Sequence, residues 1–148
     1  MKSKHFKIQE LVSKSVYSKY GEKCWEFIDE KLIITIDSLR DFFGKPITIN
    51  NWLWNGNLQQ RGLRTNTDDI VINKTNSGKT YVSQHCLGKA VDLNVKGLES
   101  EYVYSSILQN KDKFPYIKRI ENIKDTPTWV HIDVANTNSS DIIIFSGS

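Results

Sequence analysis

Ser83-Gln84-His85-Cys86-Leu87-Gly88-Lys89-Ala90-Val91-Asp92 sets a histidine and an aspartate on either side of a glycine turn, where an apolar strand begins at Ala90. An extended run that turns at Gly88 and enters the strand Ala90 to Val95 carries the His85 imidazole and the Asp92 carboxylate toward one point. They read as two arms of a metal site. The third arm comes from Trp129-Val130-His131-Ile132-Asp133-Val134, a strand-like segment whose alternation places Trp129, His131 and Asp133 on one face. His85, Asp92 and His131 then offer two nitrogens and one oxygen. Catalytic zinc typically takes three protein ligands and leaves its fourth tetrahedral position to water, whereas a structural zinc is more often closed by thiolates. The donor set points to one catalytic zinc ion.

The rest of the chain is read around that site. Its 148 residues, 39% hydrophobic, are enough for one compact domain with a real core and too few for two comfortable ones. The expected division is a helical N-terminal part over 1–45 and a part carrying sheet and metal site over 46–148. A net charge of +3 permits attraction to anionic polymers without selecting one, and no nucleic-acid partner is expected. Ile8-Gln9-Glu10 interrupts the basic start where a signal peptide needs an apolar run, so no secretory signal is expected. The longest apolar runs fall far short of a membrane span, which predicts a soluble protein. Cys24 and Cys86 are too few for a disulfide framework and read as free thiols. Cys86 is a poor zinc ligand, because in extended backbone it points away from the face that His85 uses.

Leu11, Val12, Val16 and Tyr20 recur at helical spacing before Gly21, and Trp25, Ile28, Leu32, Ile36, Leu39 and Phe43 do so before Gly44. Two amphipathic helices are expected, their stripes serving as core. A short strand follows over 47–50, then a turn over 51–57. The polar stretch 58–80 reads as a long surface loop with an apolar insert at Ile70 to Ile72, bordering the cleft. Leu98, Tyr102, Val103, Ile107 and Phe114 predict a third helix, ended by Pro115. Residues 116–121 and 129–134 form a hairpin around a turn with Asp125 and Pro127, and 141–145 reads as another strand. The fold class expected is α+β, with helices packed on a small, mainly antiparallel sheet.

SxHxxGxAxD followed by WxH resembles the zinc D-Ala-D-Ala carboxypeptidases and phage endolysin L-Ala-D-Glu peptidases, family fifteen of the metallopeptidases, whose fold is shared with the hedgehog signalling domain. The likeness extends from Pro46 to Val134. It implies a zinc peptidase acting on peptide bonds of peptidoglycan stem peptides, as a carboxypeptidase or an endopeptidase. Without a secretory signal, such an enzyme would be made in the cytoplasm and reach the cell wall by another route, as in a phage particle or during lysis. The related peptidases place a glycine-x-arginine ahead of the histidine box, and Gly62-Leu63-Arg64 matches it, which makes Arg64 the candidate to hold a substrate carboxylate. In the same pattern Ser83 contributes a hydrogen bond within the site. No GxSxG elbow accompanies that serine, so it is not read as a nucleophile.

Hydrolysis needs a carboxylate beside the metal. Antiparallel pairing brings Glu121 to the side of the sheet that His131 faces, and Glu121 is the candidate general base. Relatives carry their glutamate just before the second histidine, where this chain has Asp125, the alternative base; in a proline-containing turn its ordinary task is to bond local backbone. Asp133 shares the face of His131 and is read either as orienting a ligand or as touching substrate. The competing reading of the whole chain is a non-catalytic, metal-stabilised module that binds cell wall or protein.

Overall fold

Val91, Leu93 and Val95 point to one side of strand β2 (Ala90–Val95), while Asp92 and Asn94 point to the other. Strand β4 (Val130–Asp133) alternates the same way, with Val130 and Ile132 on the apolar side and His131 and Asp133 opposite. Pairing is antiparallel with Asp92 directly across from His131 and Ala90 across from Asp133. The apolar side is the core: Val91, Leu93, Val130 and Ile132 are all but fully buried, each contributing about 1.5–3 kcal/mol through removal from water. The polar side is left for chemistry.

The structure, a computed structural model, describes residues 1–147. Three further strands complete one five-stranded sheet: β1 (Ile47–Thr48), β3 (Arg119–Glu121) and β5 (Ile143–Phe145), in the order β1-β2-β4-β3-β5. All pairings are antiparallel except β3 with β5, which is parallel. The sheet is therefore mixed but mainly antiparallel, and with four helices the class is α+β. The helices are α1 (Lys14–Tyr20), α2 (Glu30–Phe43), α3 (Asp69–Asn76) and α4 (Ser100–Gln109). Helix α2 buries Leu32, Ile33, Ile36 and Leu39, and α4 buries Val103 and Ile107, in the same cluster that holds the strand side chains. Leu11 and Val12 belong to that cluster too, so the part before residue 46 and the part after it share one core. Among the described residues, no helix is long and apolar enough to cross a membrane.

Several expected elements differ from those observed. Trp25 and Ile28 do not belong to α2: Gly21–Phe27 is 3₁₀ helix, and α2 starts after Asp29, whose side chain accepts from the Lys31 N–H at 2.8 Å. Residues 58–80 are not all loop, since α3 occupies their centre. The third helix ends at Gln109, with a separate 3₁₀ turn over Lys111–Lys113 before Pro115. Strand β3 is shorter than expected, because 114–117 form a turn in which the Ile117 N–H bonds the Phe114 carbonyl. His85 sits not on an extended run but on a 3₁₀ turn, Gln84–Leu87, closed by Gly88 in the left-handed region at φ +69°.

Two glycines fix that turn. A Cβ on Gly88 would collide with the Phe27 carbonyl oxygen as well as demand a φ that side chains resist. The Gly88 carbonyl accepts from the Asp29 N–H at 3.0 Å, tying the turn to the start of α2. A Cβ on Gly62 would meet the Leu11 backbone, and the Gly62 carbonyl is the partner of the His85 ring. Gly88→Ala should accordingly cost about 1–3 kcal/mol in urea denaturation; an unchanged midpoint would show the turn to be unconstrained.

Candidate metal centre

Each arm of the site reaches the centre from a different element. His85 comes from the 3₁₀ turn, Asp92 from the middle of β2 and His131 from its cross-strand partner on β4. One donor atom from each lies within 4.8 Å of the other two, and all three side chains are buried. His85 Nε2 is 3.3 Å from Asp92 Oδ1, and His131 Nδ1 is 3.0 Å from the same oxygen. Two ligands on a tetrahedral zinc at about 2.0–2.1 Å stand roughly 3.3 Å apart, so the spacing fits.

The remaining ring nitrogens are committed elsewhere. His85 Nδ1 lies 2.9 Å from the Gly62 carbonyl, which only accepts, so this nitrogen carries the hydrogen and Nε2 turns a lone pair inward. His131 Nε2 lies 2.9 Å from the Asp133 carboxylate, which likewise leaves Nδ1 to face the centre. Two lone pairs and an anionic oxygen meeting in a buried place need a positive charge among them. Holding a ligating ring through its outer N–H is how proteins orient metal-bound histidines. The donor chemistry fits a divalent cation.

In the metal-free protein a proton serves instead. Burial opposes charge on His131, but hydrogen bonds to Asp133 and Asp92 outweigh it and raise the imidazole to about 9. For His85 burial dominates and the ring is pushed below its ordinary value, so it stays neutral. Burial alone would raise Asp92, but the hydrogen bond and charge of His131 hold it well below the usual carboxylate range.

Asp133 is 0% exposed, and its other contacts are Arg119, at 2.9–3.1 Å, and the Ala135 N–H at 3.2 Å. It does not line the cleft and cannot meet a substrate; orienting His131 is the role its position allows. Arg64, by contrast, forms cleft wall. Its Nε donates to the Gln60 carbonyl, one Nη to the Tyr81 hydroxyl, both at 2.7 Å, and the other Nη lies 3.3 Å from Asp92 Oδ2. Ser83 also lines the cleft, where its Oγ is 3.7 Å from Cys86 Sγ and does not bond His85. Cys86 itself faces a different, apolar recess with Val16, Tyr20, Phe27 and Leu63, because one residue along a 3₁₀ turn rotates the side chain by about 120°. His5 is exposed and pairs with Asp41 at 2.7 Å.

Antiparallel β3–β4 pairing sets Arg119 across from Asp133 and Ile120 across from Ile132, and one further step brings Glu121 level with His131. Glu121 lines the cleft with the three donors, while Asp125 is exposed and its carboxylate accepts from the Gly147 N–H at 3.1 Å. Burial raises the Glu121 carboxyl, with the charge of His131 acting the other way and those of Asp92 and Asp125 adding to the rise. Together these groups enclose a cavity of about 270 Å³. Sequence reasoning missed Tyr81, Arg119 and Phe145 in this wall. Phe145 packs edge-on to His131 at 5.3 Å and under the Arg119 guanidinium at 4.2 Å. Only pairing with β5 brings it there, and no local pattern signals that.

No family model, curated protein or solved structure matches the chain.

A metal must displace the inward proton of His131. Zinc binding near pH 7 should therefore release about one proton, with affinity rising as pH approaches 9, as titration calorimetry in buffers of different ionisation enthalpy will read. Because the folded value lies above the ordinary 6.5, the stabilisation this proton gives the metal-free protein is complete below pH 6.5 and lost as pH rises through 9. His131→Gln should flatten that part of the stability profile, and an unaltered profile would refute the assignment.

Proposed function

We propose that the chain is a zinc-dependent peptidase that hydrolyses peptide bonds in peptidoglycan stem peptides, on a hedgehog-like α+β scaffold. The observation that carries this reading is the convergence of His85, Asp92 and His131 in one cleft with a free-standing carboxylate, Glu121, and a cleft-wall guanidinium, Arg64. The resemblance of SxHxxGxAxD, WxH and Gly62-Leu63-Arg64 to the wall peptidases supplies the substrate class. Two histidines and one aspartate leave a coordination position open, as a catalytic zinc requires.

A zinc ion in this place supplies a Lewis acid that polarises a carbonyl and makes water acidic near neutral pH. The protein's own groups do the rest. Glu121, its carboxyl raised by burial, accepts a proton from the attacking water and returns it to the leaving amine. Arg64 is held in place by Gln60, Tyr81 and Asp92, and its remaining N–H groups are available to a peptide carboxylate. Asp133 and Arg119 keep the His131 ring in its ligating orientation. Trp129 and Phe145 add apolar wall that limits water around the reacting bond.

The decisive experiment is mass-resolved digestion of purified peptidoglycan by the zinc-loaded protein, with and without a chelator. Chelator-sensitive release of defined fragments is expected, and their masses identify carboxypeptidase or endopeptidase action. Glu121→Gln should lower turnover by about 10²- to 10⁴-fold with one zinc still bound. Wall fragments bound but left intact, with Glu121→Gln without effect, would instead establish a metal-stabilised binding module.

A further inference from the structure

Arg61 stands three residues before Arg64, on the same approach to the sheet. Its backbone is fixed on both sides: the N–H donates to Asn50 Oδ1 at 3.0 Å, and the carbonyl accepts from the Asp92 N–H at 2.8 Å. The side chain lies along the cleft face of β2, where Nη1 donates to Asn94 Oδ1. Asn94 cannot turn its amide around, because Nδ2 already donates to the Thr128 carbonyl at 2.8 Å and to Ser100 Oγ at 3.4 Å. Asp92 and Asn94 alternate onto one face, so Arg64 beside the first and Arg61 beside the second place two guanidinium groups along that face.

The two cations differ in what they face. Arg64 has the Asp92 carboxylate at 3.3 Å, whereas Arg61 has only a neutral amide, and among the described residues no carboxylate lies within 4.0 Å of it. Of the five N–H donors of a guanidinium, Arg61 commits one to Asn94, and the rest have no protein partner among the described residues. They border a cavity of about 260 Å³ that shares Arg64, Ile70, Asp92 and Trp129 with the cavity at the metal ligands.

The geometry points to a second anion subsite at Arg61, which takes a carboxylate of the substrate peptide distinct from the one held at Arg64. This rests on the peptidase reading for its substrate and narrows it: the preferred peptide carries two carboxylates near the scissile bond, and amidation of one of them is read at Arg61. A planar fork facing an open cavity suits a carboxylate better than a point charge would.

The test uses acetyl-L-alanyl-D-glutamate with both carboxylates free, together with its α- and γ-monoamides. Each is titrated by calorimetry or NMR into zinc-loaded wild type, Arg61→Gln and Arg61→Lys, with folding of each variant checked by thermal melting. Both monoamides should bind wild type more weakly than the diacid, one for want of the Arg64 contact and the other, by about 10- to 100-fold, for want of the Arg61 contact. Arg61→Gln should lower diacid binding to the level of the second monoamide and abolish discrimination against that monoamide alone, while Arg61→Lys, which keeps the charge without the fork, should fall between. Equal binding of all three peptides by wild type, absence of diacid binding, or discrimination unchanged in Arg61→Gln would each overturn the subsite. Loss of folding in Arg61→Gln leaves the decision to Arg61→Lys, where unchanged discrimination and affinity would overturn it. Discrimination without any cleavage of purified peptidoglycan would retain the subsite and reject the peptidase, and cleavage of peptidoglycan without discrimination among the peptides would do the reverse.

Discussion

Asp92 Oδ1 is approached by two imidazole nitrogens, His85 Nε2 at 3.3 Å and His131 Nδ1 at 3.0 Å, in a place almost closed to water. The outer nitrogen of each ring is already donating, to a carbonyl in one case and to a carboxylate in the other. Such a meeting of electron pairs is tolerable only with positive charge at its centre. Arg64 provides some of it from the cleft side, and a proton or a divalent ion must provide the rest. Every other feature of the polar face either holds one of these groups still or opens a path to them.

The sheet makes that arrangement possible because its strands are two-faced. Ile120, Ile132 and Val91 sit in the core, and their sequence neighbours Glu121, His131 and Asp92 form a row across the other side. Register is thus doubly determined. A slip of one residue would carry His131 and Asp133 into the apolar cluster and Ile132 into the cleft, at a cost no polar contact offsets. Buried Asp133, tied to Arg119 on the neighbouring strand, adds a charged lock to the same pairing.

The convergence of His85, Asp92 and His131 was readable in the sequence because strands of strict alternation carry two of them and a single turn carries the third. The hairpin that levels Glu121 with His131 was readable for the same reason. Helix α3 was hidden because Ile70, Val71 and Ile72 run consecutively, and a helix that buries none of its side chains has no apolar stripe to display. The turn at His85 is too short to show any period. Trp25 and Ile28 continued the spacing of α2 by coincidence, and Asp29, the residue that starts the helix, was the overlooked signal. Arg61, Tyr81 and Arg119 acquire their roles from partners 14 to 33 positions away, which no local pattern encodes.

Helix α3 forms part of the cleft wall through Ile70 and Lys74, yet buries no side chain and is moored by bonds such as Ile70 N–H to Gln60 Oε1 at 2.8 Å. Local stability follows local burial, so this wall and the core beneath it belong to different tiers of the same molecule. The helix can fray or swing aside while the strands stay paired, and its amides should exchange with deuterium long before those of β2 and β4. A cleft built this way can widen without disturbing His85, Asp92 and His131, since its α3 side does not rest on the sheet.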